Sequence, residues 1–332
     1  MTEYTLNSEE FKSLFLAHNT NTAYFERALF FSWYCAIGDC TFCYMSTLHT
    51  EQVAQQLQKK AKRSIPSILA ETILCKEFGW KIEFISGGYD AYSKDDLLFL
   101  LKSIYAIMGE RVWLNIGCLS KEDLLLYKPY AIGYAGTIES VNMDVRKRVC
   151  PSKHLQPILT TFKHCDDVGF QKAITIIIGL GETIEDHAKL VAFIQEHAIS
   201  RVIFYALNPH PDTPFTHSPE LTYYCDWILK TRVAFPKIEI IAGAWSDKAK
   251  YYRAILESGA NSITKLPSLR KFGSSEFREI QDDLQHSWRN FEGNLTQPPT
   301  KTAEELVAQY TFADDMRLNI ITKLNQYLKK MK

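Results

Sequence analysis

Short runs of apolar and β-branched residues alternate along this chain with longer stretches in which apolar positions recur at helical spacing. The runs at 29–34, 81–85, 111–116, 131–135, 173–178, 201–207, 238–242 and 260–264 are expected strands. Several are apolar almost without a break, Ala173-Ile174-Thr175-Ile176-Ile177-Ile178 most clearly, as parallel strands covered on both faces should be. Helices are expected between them, and their start signals recur. Ser93, Ser120 and Thr183 each precede an Asp three residues on, a variant of the capping box that normally ends in Glu. Pro219 suits a first helical position, and Pro66 is expected to separate two helices within 50–78.

Eight strands alternating with helices predict an α/β chain closed into a (β/α)8 barrel of the TIM type, with a doubly wound open sheet as the main rival. Two helices before residue 29 and one or two after about residue 274 would be additions to it. The expected division is an N-terminal helical extension at 1–28, a barrel core at 29–272 and a C-terminal helical extension at 273–332. No Pro/Gly/Ser-rich linker and no repeat interrupts this plan.

A barrel of this kind places its active site at the C-terminal ends of its strands. Polar and glycine-rich segments fall just there. A cysteine-rich loop follows strand one, Ser86-Gly87-Gly88-Tyr89 follows strand two, and Asn115 to Gly117 follows strand three. Gly136 to Asn142 follows strand four, Ile178-Gly179-Leu180-Gly181-Glu182-Thr183 ends strand five, and Asn208-Pro209 ends strand six.

The cysteine loop carries the sharpest chemistry. Cys35, Cys40 and Cys43 lie within nine residues, and Gly38 allows the unusual backbone angles of a loop wrapped around a metal group. Three thiolates can hold three irons of a [4Fe–4S] cluster, leaving the fourth iron open to a reacting ligand. A structural zinc site needs four ligands, so it would require a remote fourth residue here. The other five cysteines are scattered singly, no second CxxC occurs, and a chain of 332 residues without a secretory pattern does not read as a disulfide scaffold. Isolated cysteines such as Cys118, Cys150, Cys165 and Cys225 are more often small buried hydrophobes than ligands of an auxiliary cluster.

Composition narrows the partners. Lys+Arg and Asp+Glu balance at 38 each, so no overall field attracts nucleic acid or acidic lipid. No apolar run is long enough to span a membrane, and cytoplasmic residence is the expectation. The basic end at Lys329, Lys330 and Lys332 reads as a solvated helix terminus.

The cysteine loop, Tyr44 and the Ser86-Gly87-Gly88 turn together resemble the radical S-adenosylmethionine (SAM) superfamily. The likeness extends through Glu139-Ser140-Val141-Asn142, the 178–186 run, Leu207-Asn208-Pro209-His210-Pro211, Ala242-Gly243 and Gly259-Ala260-Asn261-Ser262. It covers roughly residues 29–270 and is similar to the biotin-synthase-like branch, which includes hydrogenase maturases and methylornithine synthase. One departure stands out. The superfamily usually spaces its cysteines Cx3Cx2C, whereas four residues separate Cys35 from Cys40. A longer first gap is known in the radical SAM family that serves the iron–guanylylpyridinol cofactor of [Fe]-hydrogenase, although its gap is longer still.

The resemblance implies that Cys35, Cys40 and Cys43 hold the [4Fe–4S] cluster and that SAM occupies the open iron. Reductive cleavage of SAM would give a 5′-deoxyadenosyl radical that abstracts hydrogen from a small polar metabolite. It further implies Tyr44 near adenine, Gly87 and Gly88 presenting backbone to the SAM amino group, and Glu139 accepting from ribose hydroxyls or that amino group. Ile178 and Gly179 would flank adenine, Asn208 would bond its edge, and Arg146 or Lys153 would pair with the SAM carboxylate. The reductant would be a ferredoxin- or flavodoxin-like donor. Ile85, Trp113, Ala173 and Glu239 stand where biotin synthase holds its sulfur-supplying cluster, so carbon-bond chemistry is expected rather than sulfur insertion. The leading expectation is cofactor assembly, with [Fe]-hydrogenase maturation as its most specific form. A methylornithine-synthase-like mutase or another maturase is the alternative, and a non-catalytic iron–sulfur protein is the alternative of another class. Trp113, Asn115, Tyr134, Tyr205, His210 and Trp245 are the expected substrate-facing residues.

Overall fold

The computed structural model describes residues 8–43, 45, 61–87, 92–211 and 213–331. Eight of its strands close into a parallel barrel: β1 Thr22–Phe30, β2 Lys81–Ser86, β3 Val112–Asn115, β4 Ala131–Glu139, β5 Gln171–Ile178, β6 Arg201–Ala206, β7 Glu239–Gly243 and β8 Ser262–Thr264. Each pairs with its neighbour in chain order, and β1 bonds both β2 and β8 to close the ring. The open-sheet rival is thereby excluded.

The helices lie in chain order around this ring. They are α1 Ser8–Leu16, α2 Ile65–Glu77, α3 Lys94–Met108, α4 Lys121–Tyr127, α5 Met143–Val149, α6 Leu155–Val168, α7 His187–Glu196, α8 Leu221–Ala234 and α9 Tyr251–Glu257. Beyond the barrel follow α10 Ser268–Lys271, α11 Ser275–Gln285, α12 Ala303–Val307 and α13 Asp314–Lys330. The capping signals operate as the side chains require. Ser93 Oγ accepts from Asp96 N, Ser120 and Asp123 form a reciprocal box, and ahead of α7 Thr183 N donates to Asp186 Oδ2. Such caps contribute about 1 kcal/mol each. Pro66 lies in the first turn of α2, where its missing N–H costs nothing. Pro219 precedes α8, which starts at Leu221.

Two ends differ from the sequence expectation. The first strand was expected at 29–34 and runs from Thr22 to Phe30 instead, with α1 ahead of it. Glu26 and Arg27 interrupt its apolar pattern, because Glu26 points into the barrel toward Arg201 while Arg27 points out to Glu71. The C-terminal segment is not purely helical. It contributes β9, Asn290–Glu292, which pairs in parallel with the start of β1. Its last helix, α13, docks on α2, where Tyr327 Oη lies 2.6 Å from Ser67 Oγ.

Most of the core lies between strands and helices. A second apolar group fills the barrel itself, with Phe84, Trp113, Ala135, Ala173, Ile203, Tyr205 and Ile241 buried together. Two irregularities in the ladders re-aim side chains. The register between β1 and β2 steps from Arg27–Ile82 to Ala28–Phe84, so Glu83 is an extra, unpaired residue of a bulge. A similar step between β4 and β5 precedes Glu139.

Candidate active site

The cysteine loop leaves the C-terminal end of β1 and is tied to the helix after β4. Thr41 N donates to Val149 O at 2.8 Å, and Ser152 N donates to Asp39 Oδ2 at 3.2 Å. Gly38 adopts φ +60°, the left-handed turn that glycine tolerates without strain. Cys43 N donates to Cys40 O at 3.0 Å, and Met45 N donates to Cys43 Sγ at 3.4 Å. All three cysteines are half-buried.

Burial pushes the Cys40 and Cys43 thiols up, and Lys153 pulls against this at Cys40. A thiolate is costly in such a place unless a cation compensates it, and a bound metal does so directly. Among the described residues no three His, Cys, Asp or Glu side chains already converge as a metal cage. The donor set nevertheless fits a cluster, since three soft thiol ligands sit on one loop beside a backbone N–H aimed at sulfur.

Glu139 ends β4 on left-handed backbone, φ +64°, and is 6% exposed. A non-glycine residue in that region carries strain of about 1–3 kcal/mol, which clusters at functional sites. Its Oε1 accepts from Lys153 Nζ at 2.6 Å. Lys153 also moderates Cys40, so this ion pair and the cysteine loop share one electrostatic neighbourhood.

The remaining expected residues divide. Gly87 follows β2, and a Cβ there would meet the Phe31 ring at 2.2 Å, so glycine is required by packing. Gly179 has φ +111° and donates its N–H to Glu182 Oε1 at 2.7 Å; Leu180 N donates to Glu182 Oε2 at 2.9 Å. Glu182 therefore shapes the turn after β5. Asn208 lies half-buried at the end of β6. Tyr44 and Gly88 lie outside the described residues.

Three expectations are corrected. Arg146 is 2% exposed, and its guanidinium is spent on Ile138 O, Cys150 Sγ and Lys153 O, so it is not presented to a ligand. Lys153 is the cation that faces the site. Ile178 packs its side chain outward into the helical layer, leaving only backbone at the strand end. Tyr134 likewise points outward, against Phe162 with ring centroids 5.9 Å apart. The two strand residues follow from strand alternation, which sends neighbouring residues to opposite faces.

Trp113 and Tyr205 do line the barrel interior, and His210 meets Trp245 edge-on at 6.0 Å. Toward the C-terminal end sequence reasoning missed two interior charges, Glu83 and Lys265. Glu83 is fully buried and accepts from the hydroxyls of Tyr205 and Thr264. Lys265 follows β8 on left-handed backbone, φ +69°, with its Nζ 4.3 Å from the Tyr205 ring centroid. A bulge hides Glu83 from a period-two reading. Lys265 follows a strand of only three residues, so its place at the barrel mouth carried little signal.

Comparison with known proteins places this site in context. Residues 32–194 match the family model described as the Radical SAM superfamily. An uncharacterised protein of Methanocaldococcus jannaschii is 33% identical, over 98% of this chain and 94% of its own length. The biotin synthase of Clostridium botulinum is 30% identical over 56% of this chain and 60% of its own. Among solved structures, methylornithine synthase superposes with a TM-score of 0.62 at 17% identity, covering 77% of this chain and 76% of that one.

Proposed function

The chain belongs to the radical SAM superfamily, and on that premise we propose that it initiates radical chemistry on a small polar metabolite held inside the barrel. Enzymes of this superfamily use a [4Fe–4S] cluster and SAM. When bound, these supply a 5′-deoxyadenosyl radical, and the hard chemistry is theirs. In this reading Cys35, Cys40 and Cys43 hold the cluster, while the Glu139–Lys153 pair orients the polar groups of SAM. Gly87 and the Gly179 turn keep the backbone close on either side, and Asn208 offers an amide to the adenine edge. The apolar group inside the barrel would help exclude water from the reacting carbon.

One observation carries this reading: the three cysteines and the strained, ion-paired Glu139 occur together at the C-terminal end of one closed barrel. The reductant would be a ferredoxin- or flavodoxin-like protein.

Rearrangement or cleavage of a carbon bond is favoured over sulfur insertion. Trp113 and Ala173 are lumen residues whose side chains offer no metal ligand, and Glu239 is occupied by Arg201. Ile85 faces outward. A role in cofactor assembly, in the manner of hydrogenase maturation, is the specific form we favour, with a methylornithine-synthase-like mutase as the second reading. The test is anaerobic reconstitution with iron and sulfide, reduction, and measurement of 5′-deoxyadenosine from SAM. Production no greater than that of a Cys40→Ala variant, with the wild-type cluster intact, would sink the radical reading.

A further inference from the structure

A cavity of about 300 Å³ opens between the C-terminal halves of β1 and β8 and reaches into the barrel. Its walls are Ala28, Phe30 and Trp33 on one side and Trp245 on the other, with Glu83 and Lys265 at the inner end. It begins two residues before Cys35, since Trp33 is both a wall of the cavity and the approach to the cysteine loop. A space of this size suits a small metabolite.

Lys265 is placed there at a cost. Its backbone is left-handed, and burial holds its amine below the ordinary lysine range despite Glu83, Cys43 and Glu139 nearby. Gly243 makes room for it, because a Cβ at 243 would come within 2.9 Å of Lys265 Cγ. Among the described residues no carboxylate forms an ion pair with its amine. Glu83 attracts it through space, but its carboxylate is turned to the Tyr205 and Thr264 hydroxyls, one on each oxygen. What the amine has instead is the face of Tyr205. A half-buried ammonium set over an aromatic face, with no carboxylate in ion-pair contact, has bonding capacity left for an anion. Contrast Arg27, which also lines the cavity and is already satisfied by Glu71 at 2.6 Å and by Leu266 O.

Resting on the radical reading above, we propose that Lys265 receives the carboxylate of a small organic acid, whose apolar part lies between Trp33 and Trp245. Lys265 is then a specificity-determining residue. One lysine among apolar walls suits a monoanionic carboxylate better than a phosphate, which is usually met by several cations or a helix N-terminus. Among the described residues the only further cation on the cavity wall without a carboxylate partner is Arg270, exposed at its rim.

The test is a binding titration on the anaerobic, cluster-loaded protein with SAM present, followed by tryptophan fluorescence from the cavity walls. The probes are acetate, succinate, glutarate and phenylacetate, with phenylacetamide and phenyl phosphate as matched controls. At least one carboxylate should bind about ten-fold or more tighter than phenylacetamide, the scale of a charge-assisted hydrogen bond. Lys265→Met should erase the preference, and Lys265→Arg should restore part of it. Should Lys265→Met not fold, acetylation of Lys265 in the wild type, read by mass spectrometry, must be slowed by the best-binding carboxylate. No carboxylate preference, a preference that survives Lys265→Met, or tighter binding of phenyl phosphate overturns the proposal. Formation of 5′-deoxyadenosine is scored separately, so a failed titration in a protein that cleaves SAM rejects the carboxylate alone. A carboxylate preference in a protein that does not cleave SAM rejects the radical reading instead.

Discussion

At the N-terminal end of the barrel Arg201, Arg232 and Arg289 are buried with every guanidinium nitrogen engaged. At the C-terminal end Glu139 and Lys265 sit on left-handed backbone with bonding capacity to spare. Arg201 grips both oxygens of Glu239 at 2.7 Å and reaches Glu26 and Glu83 O. Arg232 donates to Gly259 O, Pro236 O, Ile238 O and Asn261 Oδ1, and Arg289 donates to Asn21 O, Ala260 O, Thr20 O and Thr22 O. Arg232 and Arg289 thereby satisfy the carbonyls that lead into β1, β7 and β8. The lesson is one of division: charge at one end closes the ring, and charge at the other is what we propose to bind ligand.

The largest effect should come from breaking the closed end. Arg201→Met strips Glu26 of its cation and Glu239 of its bidentate partner, and should cost about 3–5 kcal/mol in urea unfolding at pH 8, where Glu26 is ionised. Substituting Glu26→Gln as well should recover part of that loss. If both variants unfold like the wild type, the arginine is not a structural anchor.

A pH series sharpens the same point. Burial raises the Glu26 carboxyl from its usual 4.5 to about 7, with Arg201 opposing and Glu239 and Glu83 adding to the rise. The folded state therefore binds this proton more tightly than the unfolded chain. Its stabilising contribution is complete below the unfolded value, falls as pH rises from 4.5, and is gone above about 7. Between about pH 5 and pH 8 the wild type should lose roughly 3 kcal/mol more than Glu26→Gln does, by urea midpoints. Equal slopes would show that Glu26 is already ionised in the fold.

At the open end a comparable substitution should spare stability and affect binding. Lys153→Met removes the partner that fixes Glu139, and the KM for SAM should rise about ten-fold with little change in unfolding. A large stability loss with an unchanged KM would move Lys153 into the closed-end class.

The two ends were also unequally legible in sequence. Seven of the strands announced themselves through apolar runs such as 173–178, and the cysteines through spacing alone. The start of β1 did not, because Glu26 and Arg27 broke its pattern for reasons located far away, at Arg201 and Glu71. Side-chain direction was the other blind spot. Ile178 and Tyr134 lie in the right segments but on the outer face, and Arg146 spends its charge on backbone. Lys265 and Glu83 reach the interior through a strained turn and a bulge, neither of which leaves a periodic trace.

Backbone strain gives the finest version of the comparison. Among the described residues only Glu139, Ala198 and Lys265 are non-glycine residues at positive φ. Ala198, at φ +48°, lies between α7 and β6 on the N-terminal side, where no ligand role is proposed. Ala198→Gly should stabilise the fold by about 1 kcal/mol, since glycine takes that conformation without the Cβ penalty, and should leave SAM cleavage unchanged. Glu139→Gly relieves the same kind of strain while deleting the carboxylate that Lys153 holds. Its melting point should therefore change little while SAM cleavage collapses. Strain that can be removed freely at one end, and only with loss of activity at the other, is what separates a folding compromise from a working part. Equal tolerance at both positions would erase the distinction.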